Sequence, residues 1–268
     1  VNRPIRDWVA FWELSRNPFS DQDRTFVETP HHQSVMTRLA AAIEAQERSV
    51  LLIAEPGAGK TRLLQRALSQ VARPCRKQVS IVAPADGLTF VRMLAERFGA
   101  RRPDPSSWSS CWKALGDALR VRRSLGDHVV LAIDDAHVLP WRDVWPQLHS
   151  LSSLGCRGGF TLIWSGRVMD DPEEPWSSDY RRLNLGPLSY SEAAHYVTEK
   201  LGGAGRWEPV FTNRALTRLH AWSHGVPGCL NRLAMLSLEA GADRGLERLS
   251  SELIDEVALV DLDVTMSP

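Results

Sequence analysis

Apolar residues follow two rhythms along this chain. Between residue 50 and about residue 185, short unbroken apolar runs alternate with stretches in which apolar side chains recur every three or four positions. The runs Val50-Leu51-Leu52-Ile53, Gln78 to Ala83, Val129 to Asp135, Phe160 to Ser165 and Leu183 to Leu185 predict buried strands. Arg62 to Leu68, Leu88 to Phe98, Ser109 to Leu125 and a segment opened by Pro140 predict the intervening helices. Such alternation is that of an α/β fold in which helices cover both faces of a parallel sheet. From Ser189 onward only the helical rhythm remains. Ser189 with Glu192 three residues later forms a capping box, and Gly202-Gly203 ends that helix. Thr212 to Trp222, Cys229 to Ala240 and Ser250 to Val260 predict three more. The change near Pro187 predicts two domains, residues 1–187 and a small all-helical domain of residues 188–268.

The first strand runs into Ala54-Glu55-Pro56-Gly57-Ala58-Gly59-Lys60-Thr61, and Arg62 begins the helical pattern. A buried strand, a glycine-rich turn and a helix N-terminus aim several backbone N–H groups and a helix dipole at one point, where a triphosphate can sit. Lys60 is then expected to reach the β- and γ-phosphates and Thr61 to ligate Mg2+. Glu55, Pro56, Gly57, Ala58, Gly59, Lys60, Thr61 and Arg62 are the candidate contacts to the nucleotide. Ala54 stands where this loop usually opens with glycine. Asp134 closes the apolar strand Val129 to Ile133 and is the candidate carboxylate for holding Mg2+ from a neighbouring strand tip.

Composition narrows the picture without redirecting it. Lys and Arg together number 32, as do Asp and Glu, so the chain lacks the strongly basic balance of a protein that coats nucleic acid unaided. Lysine occurs four times, which makes Lys60 conspicuous. Cys75, Cys111, Cys156 and Cys229 are scattered, without metal-ligand or disulfide spacing, and read as buried free thiols in a reducing compartment. No apolar stretch is of membrane-spanning length, and the residues before Trp8 do not have signal-peptide form, so the expected location is cytoplasmic.

These motifs in this order resemble the AAA+ ATPases, and within them the secretion-ATPase family ExeA/GspA with its transposition relatives of the TniB/TnsC kind. Further carriers of the resemblance are Phe11 to Ser20, ending in Asn17-Pro18-Phe19; Pro30-His31-His32-Gln33 before a helix; Leu185-Gly186-Pro187-Leu188-Ser189; and Gly225-Val226-Pro227 followed by Leu230-Asn231-Arg232-Leu233. It covers Phe11 to about Ala242. The resemblance implies ATP and Mg2+ as cofactors and ATP hydrolysis as the activity. Asn17, Pro18 and Phe19 would wall the adenine. Asp135 would orient the attacking water, and Arg182, with Arg181 as the alternative, would be an arginine finger inserted into a neighbouring subunit.

Three positions depart from the family pattern. The water-orienting residue is usually glutamate, and Asp135 is one methylene shorter; a displacement of about 1 Å can cost roughly a hundredfold in rate. The lid arginine is replaced by Gly228, with Arg232 one turn on as a substitute. The family's Gly-Gln on the preceding strand is Gly166-Arg167, leaving Ser165 or Arg167 as sensor. Initiators of the DnaA type and IstB helpers also carry Asp-Asp and use ATP mainly as a switch, so slow turnover is expected. The resemblance implies a homo-oligomer, ring or filament, acting on a protein partner of secretion or pilus type. The longer family members carry a membrane segment and a peptidoglycan-binding domain not found in these residues, which weakens the envelope assignment. A DNA-associated transposition regulator or a degenerate nucleotide-binding scaffold are the alternatives. Trp8/Trp12, Trp108/Trp112 and Trp141/Trp145, each spaced i,i+4, read as packing pairs, Trp141/Trp145 also as a partner surface. Arg120, Arg122 and Arg123 read as a solvated face, and His137 as a polar neighbour of the site.

Overall fold

The computed structural model describes residues 7–23, 25–100, 103–153, 159–167 and 180–266. Five strands, β1 (Ser49–Ala54), β2 (Arg76–Val82), β3 (His128–Asp134), β4 (Phe160–Gly166) and β5 (Arg181–Leu185), form one sheet in the order β2-β3-β4-β1-β5. Every pairing is parallel. The expected strands are all present, and β5 starts two residues earlier than its apolar core because Arg181 and Arg182 pair with Val50 and Leu51 at the sheet edge.

Side chains alternate across the sheet. Leu51, Ile53, Val79, Ile81, Val129, Leu131, Ile133, Leu162 and Trp164 enter one core with α4 (Gly87–Arg97), α5 (Trp108–Ser124) and α6 (Trp141–Ser153). Val50, Leu52, Val130, Ala132 and Ile163 are equally buried on the other face, and Met36, Leu39 and Ile43 of α2 (Pro30–Glu44) and Leu63 and Ala67 of α3 (Lys60–Gln70) are buried as well. Local signals start the helices as expected. Asp86 caps α4 through the N–H groups of Leu88 and Thr89, and Ser107 caps α5.

The chain forms two compact units, one of residues 34–55 and 60–185, the other of residues 1–33, 56–59 and 186–268. The second is helical: α1 (Trp8–Phe11), α7 (Tyr190–Gly202), α8 (Asn213–Ser223), α9 (Pro227–Asp243) and α10 (Ser251–Met266). Its last segment begins at Gly186. The N-terminal segment, expected with the sheet, packs with the helices, because Trp12, Leu14, Phe19 and Val27 enter a core with Leu188, Val197, Leu201, Leu230, Leu238 and Ile254. Trp12 Nε1 donates to the Leu238 carbonyl at 2.8 Å. Asp23 meets Lys200 at 2.6 Å, both essentially inaccessible. Burial pushes the Asp23 carboxyl up, but hydrogen bonds from Lys200, Thr25 and Arg16 outweigh it and hold the carboxyl below its ordinary range. The Ser189/Glu192 capping box forms on α7 as the sequence predicts.

The remaining sequence expectations divide. Trp108 and Trp112 meet edge-on at 5.7 Å, and Trp145 packs on Trp164 at 5.5 Å. The Trp141 side chain lies outside the described residues. Cys111 is buried, but Cys75 and Cys229 are exposed, a correction to the expectation of buried thiols: one sits in the turn before β2 and the other in the first turn of α9. Cys156 lies outside the described residues.

One buried polar chain crosses the sheet unit. Arg76 Nε donates to His128 Nδ1 at 3.0 Å, which places the ring proton on Nε2, 3.0 Å from Thr161 Oγ1. Glu44 holds the Arg76 guanidinium from the other side at 3.1 Å. Burial, with the Arg76 charge adding to it, lowers the His128 pKa to about 4. A histidine whose folded pKa lies below its unfolded value of about 6.5 stabilises the fold fully above pH 6.5 and loses that contribution as pH falls towards 4. At roughly 1.4 kcal/mol per pH unit, the loss reaches about 3 kcal/mol. Urea unfolding at pH 7 and pH 4.5 should therefore show a smaller acid loss in His128→Gln than in the wild type. Equal losses in the two proteins would contradict a buried neutral His128.

Candidate functional site

The loop is built by its own backbone. Ala54 is still the last residue of β1, paired with Leu185, so the position that usually opens the turn needs no glycine here. Gly57 and Gly59 have φ of +78° and +90°, a region that strains any residue with a Cβ. Between them Ala58 is buried, and Lys60 begins α3.

Lys60 folds back beneath this turn, with Nζ donating to the carbonyls of Ala54 at 3.0 Å and Glu55 at 2.9 Å. An ammonium has three donors, so one remains for a ligand. Burial lowers the Lys60 pKa; Asp135 and then Asp134 pull it back up, and Arg167 adds to the lowering. The carboxylates of β3 and the Arg167 guanidinium thus act on the same ammonium.

Thr61 Oγ1 donates to Asp134 Oδ2 at 2.5 Å. Asp134 is 3% exposed, and its other oxygen accepts the Asp135 N–H at 3.2 Å. Two oxygen donors from α3 and β3 therefore meet at one point, the ligand type that Mg2+ takes. A cavity of about 380 Å³ adjoins them, lined also by Leu64, Ser80, Val82 and Arg97. Asp135 has φ of +50°, a left-handed conformation that aspartate tolerates better than most residues, and opens a short 3₁₀ turn over Ala136–Val138.

Other candidates from the sequence are placed as follows. Among the described residues Ser165 Oγ is buried without a hydrogen-bond partner, as is His137 Nδ1, and a Cβ on Gly166 would lie 3.8 Å from that nitrogen. Arg62 is half-buried on α3. Arg182 is exposed on β5, where its Nε donates to Asn184 Oδ1, whereas Arg181 is paired with Glu47 at 2.6 Å. Arg232 pairs with Asp261 at 2.6 Å within the helical unit. Asn17 caps its own turn by accepting the Phe19 N–H at 2.9 Å and donates to Met235 Sδ, while Pro18 and Phe19 are buried. The basic cluster is largely neutralised, since Arg120 pairs with Asp117 and Arg122 with Asp127.

Sequence reasoning gave no role to His32. It is 5% exposed in the first turn of α2, and its ring donates to the Ala58 carbonyl of the loop. Reasoning also read Gly228 only as a missing arginine. In the structure its N–H donates to the Gly57 carbonyl at 2.9 Å.

A family model described as an AAA domain matches residues 43–168, which hold the loop and the strand that carries Asp134. That stretch, rather less than half of the chain, is similar to an AAA domain. Solved structures agree with that fold. Orc1 of Aeropyrum pernix, in complex with DNA, aligns with a TM-score of 0.68 at 18% identity over 91% of this chain and 68% of that one. Cdc6p of Pyrobaculum aerophilum aligns at 0.68 with 16% identity over 90% and 69%. At such identities these likenesses concern the AAA+ fold alone. In sequence, the chain is similar to general secretion pathway protein A of Aeromonas hydrophila, 26% identical over 257 residues. The match takes in 90% of this chain but 46% of that protein, so the chain spans less than half of its relative's length. Among the described residues no helix is long and apolar enough to cross a membrane.

Proposed function

We propose that this chain binds Mg-ATP, hydrolyses it slowly, and acts as an oligomeric switch on a protein partner. The observation that carries the reading is the convergence of a two-glycine loop, the Lys60 ammonium and the Thr61–Asp134 pair. Lys60 gives its remaining donor to a phosphate oxygen. Thr61 and Asp134 hold Mg2+, which neutralises phosphate charge when bound. The remaining loop residues, Glu55 to Gly59, and Arg62 line the phosphates, and Asn17, Pro18 and Phe19 flank the base. Asp135 orients the attacking water from a carboxylate shorter than glutamate. Arg232, drawn to Asp261, does not supply the cation that Gly228 lacks, and both features favour slow turnover.

Similarity to general secretion pathway protein A supports a protein partner of secretion type. The pairing of Arg120 and Arg122 with aspartates favours protein over DNA. Arg182, exposed on an edge strand, is the residue we assign to the neighbouring subunit's site.

Mg-ATP at about 100 times its dissociation constant should add about 2.7 kcal/mol to unfolding free energy, raising the melting temperature. Lys60→Ala should abolish that rise. A wild-type melting temperature unmoved by millimolar Mg-ATP would remove the nucleotide reading.

The shared site has its own test. Arg182→Ala should cut phosphate release by roughly a thousandfold while ATP still binds, and mixing it with Lys60→Ala should restore part of the rate, because one variant lacks the donor and the other the acceptor. No recovery on mixing, together with a rate per subunit that is independent of dilution, would leave an isolated switch. Stimulation by duplex DNA would shift the partner to nucleic acid.

A further inference from the structure

Two consecutive carbonyls of the loop are held from outside the turn. The Gly57 carbonyl accepts the Gly228 N–H at 2.9 Å, at the start of α9. The Ala58 carbonyl accepts the His32 ring. His32 is fixed in turn: its Nδ1 lies 2.8 Å from Thr29 Oγ1. Nε2 is the atom that faces the loop, 3.8 Å from where a Cβ on Gly59 would lie. The neighbouring His31 is anchored as well, with its N–H on Glu192 Oε1 at 2.9 Å and its Nε2 accepting the Gly186 N–H at 3.0 Å.

The peptide bonds here are trans, and in a trans peptide the carbonyl and the following N–H point in opposite directions. Holding the Gly57 carbonyl therefore turns the Ala58 N–H away from α9, and holding the Ala58 carbonyl turns the Gly59 N–H away from His32. Among the described residues neither N–H donates a backbone hydrogen bond. Both are oriented donors.

We propose that His32 and Gly228 are positioning residues for the phosphate loop, which together aim the Ala58 and Gly59 amides at the phosphates of a bound nucleotide. The inference rests on the reading that the loop binds Mg-ATP. It also accounts for glycine at 228. A Cβ there would come within 3.1 Å of Gly57 Cα and 3.3 Å of its carbonyl oxygen, so the two backbones touch where the resemblance implies a long cationic side chain. Contact by main chain replaces contact by arginine at this point.

The test is Mg-ATP titration of the full chain as wild type, His32→Phe, His32→Gln and Gly228→Ala, with the ligand-free melting temperature of each recorded. His32→Phe keeps a ring and removes the donor; affinity should fall about tenfold, the factor that one net hydrogen bond of about 1.4 kcal/mol represents. His32→Gln offers an amide N–H to the same carbonyl and should stay within about threefold of wild type. Gly228→Ala, which must push the loop away, should lose about tenfold with His32 intact. If wild type itself fails to bind, the nucleotide reading falls. If wild type binds and His32→Phe and Gly228→Ala bind equally well, the positioning role falls. A loss in His32→Phe that glutamine does not rescue assigns His32 to packing and also overturns it. Should His32→Phe not fold, Gly228→Ala and Thr29→Val decide, and unchanged affinity in both contradicts the proposal.

Discussion

The hydrogen bond from Thr61 to Asp134 is the point on which the chemistry of this molecule depends, because it exists only if the ends of two strands are held at a fixed relative height. Parallel pairing sets that height. Trp164 of β4 pairs with Leu51 on one side and Ile133 on the other, so Asp134 at the end of β3 lies level with Leu52, two residues before β1 ends at Ala54. Each tip then carries a different function. β1 turns through Gly57 and Gly59 into α3, delivering Lys60 and Thr61, while β3 stops on Asp134 and bends at Asp135. A slip of one residue in either ladder would send these side chains to the opposite face.

Charge is concentrated at this point and paired elsewhere. Lys60 is buried with its ammonium on the Ala54 and Glu55 carbonyls; the Asp135 and Asp134 carboxylates raise its pKa, while burial and the Arg167 charge lower it. Away from the loop, Glu44 meets Arg76, Asp23 meets Lys200, and Arg232 meets Asp261. An ammonium that sheds its charge more readily than usual, with one donor unspent, is stabilised by an incoming polyanion. The His32 ring and the Gly228 N–H hold the Ala58 and Gly57 carbonyls of the loop.

The strands, the loop and the capping box were legible in the sequence because each is local: an unbroken apolar run, a glycine pair, a serine three residues before a glutamate. The loop and Asp134 stand out in the sequence for the same reason, although the strands that carry them are separated by β4 rather than adjacent. What the sequence withheld depends on distant partners. Trp12, Leu14 and Phe19 are visibly apolar, but nothing in their pattern says that their core is the helical one. His32 stands in a Pro-His-His string that could face solvent; its burial against Ala58 follows from where α2 begins. Gly228 reads as a loss until Gly57 is seen 3.1 Å from where its Cβ would be. Cys75 and Cys229 are exposed because each sits in a turn or first helical turn, a matter of orientation that composition does not encode.

The central claim is that the loop holds its Ala58 and Gly59 amides ready for phosphate. Residue-resolved amide hydrogen exchange, followed with and without Mg-ATP, reads those two N–H groups directly. The account predicts that in the free protein they exchange readily, having no backbone acceptor, and that Mg-ATP protects both strongly while amides in the centre of the sheet, such as Leu131 and Ile163, change little. Unchanged exchange at Ala58 and Gly59 under saturating Mg-ATP would contradict it.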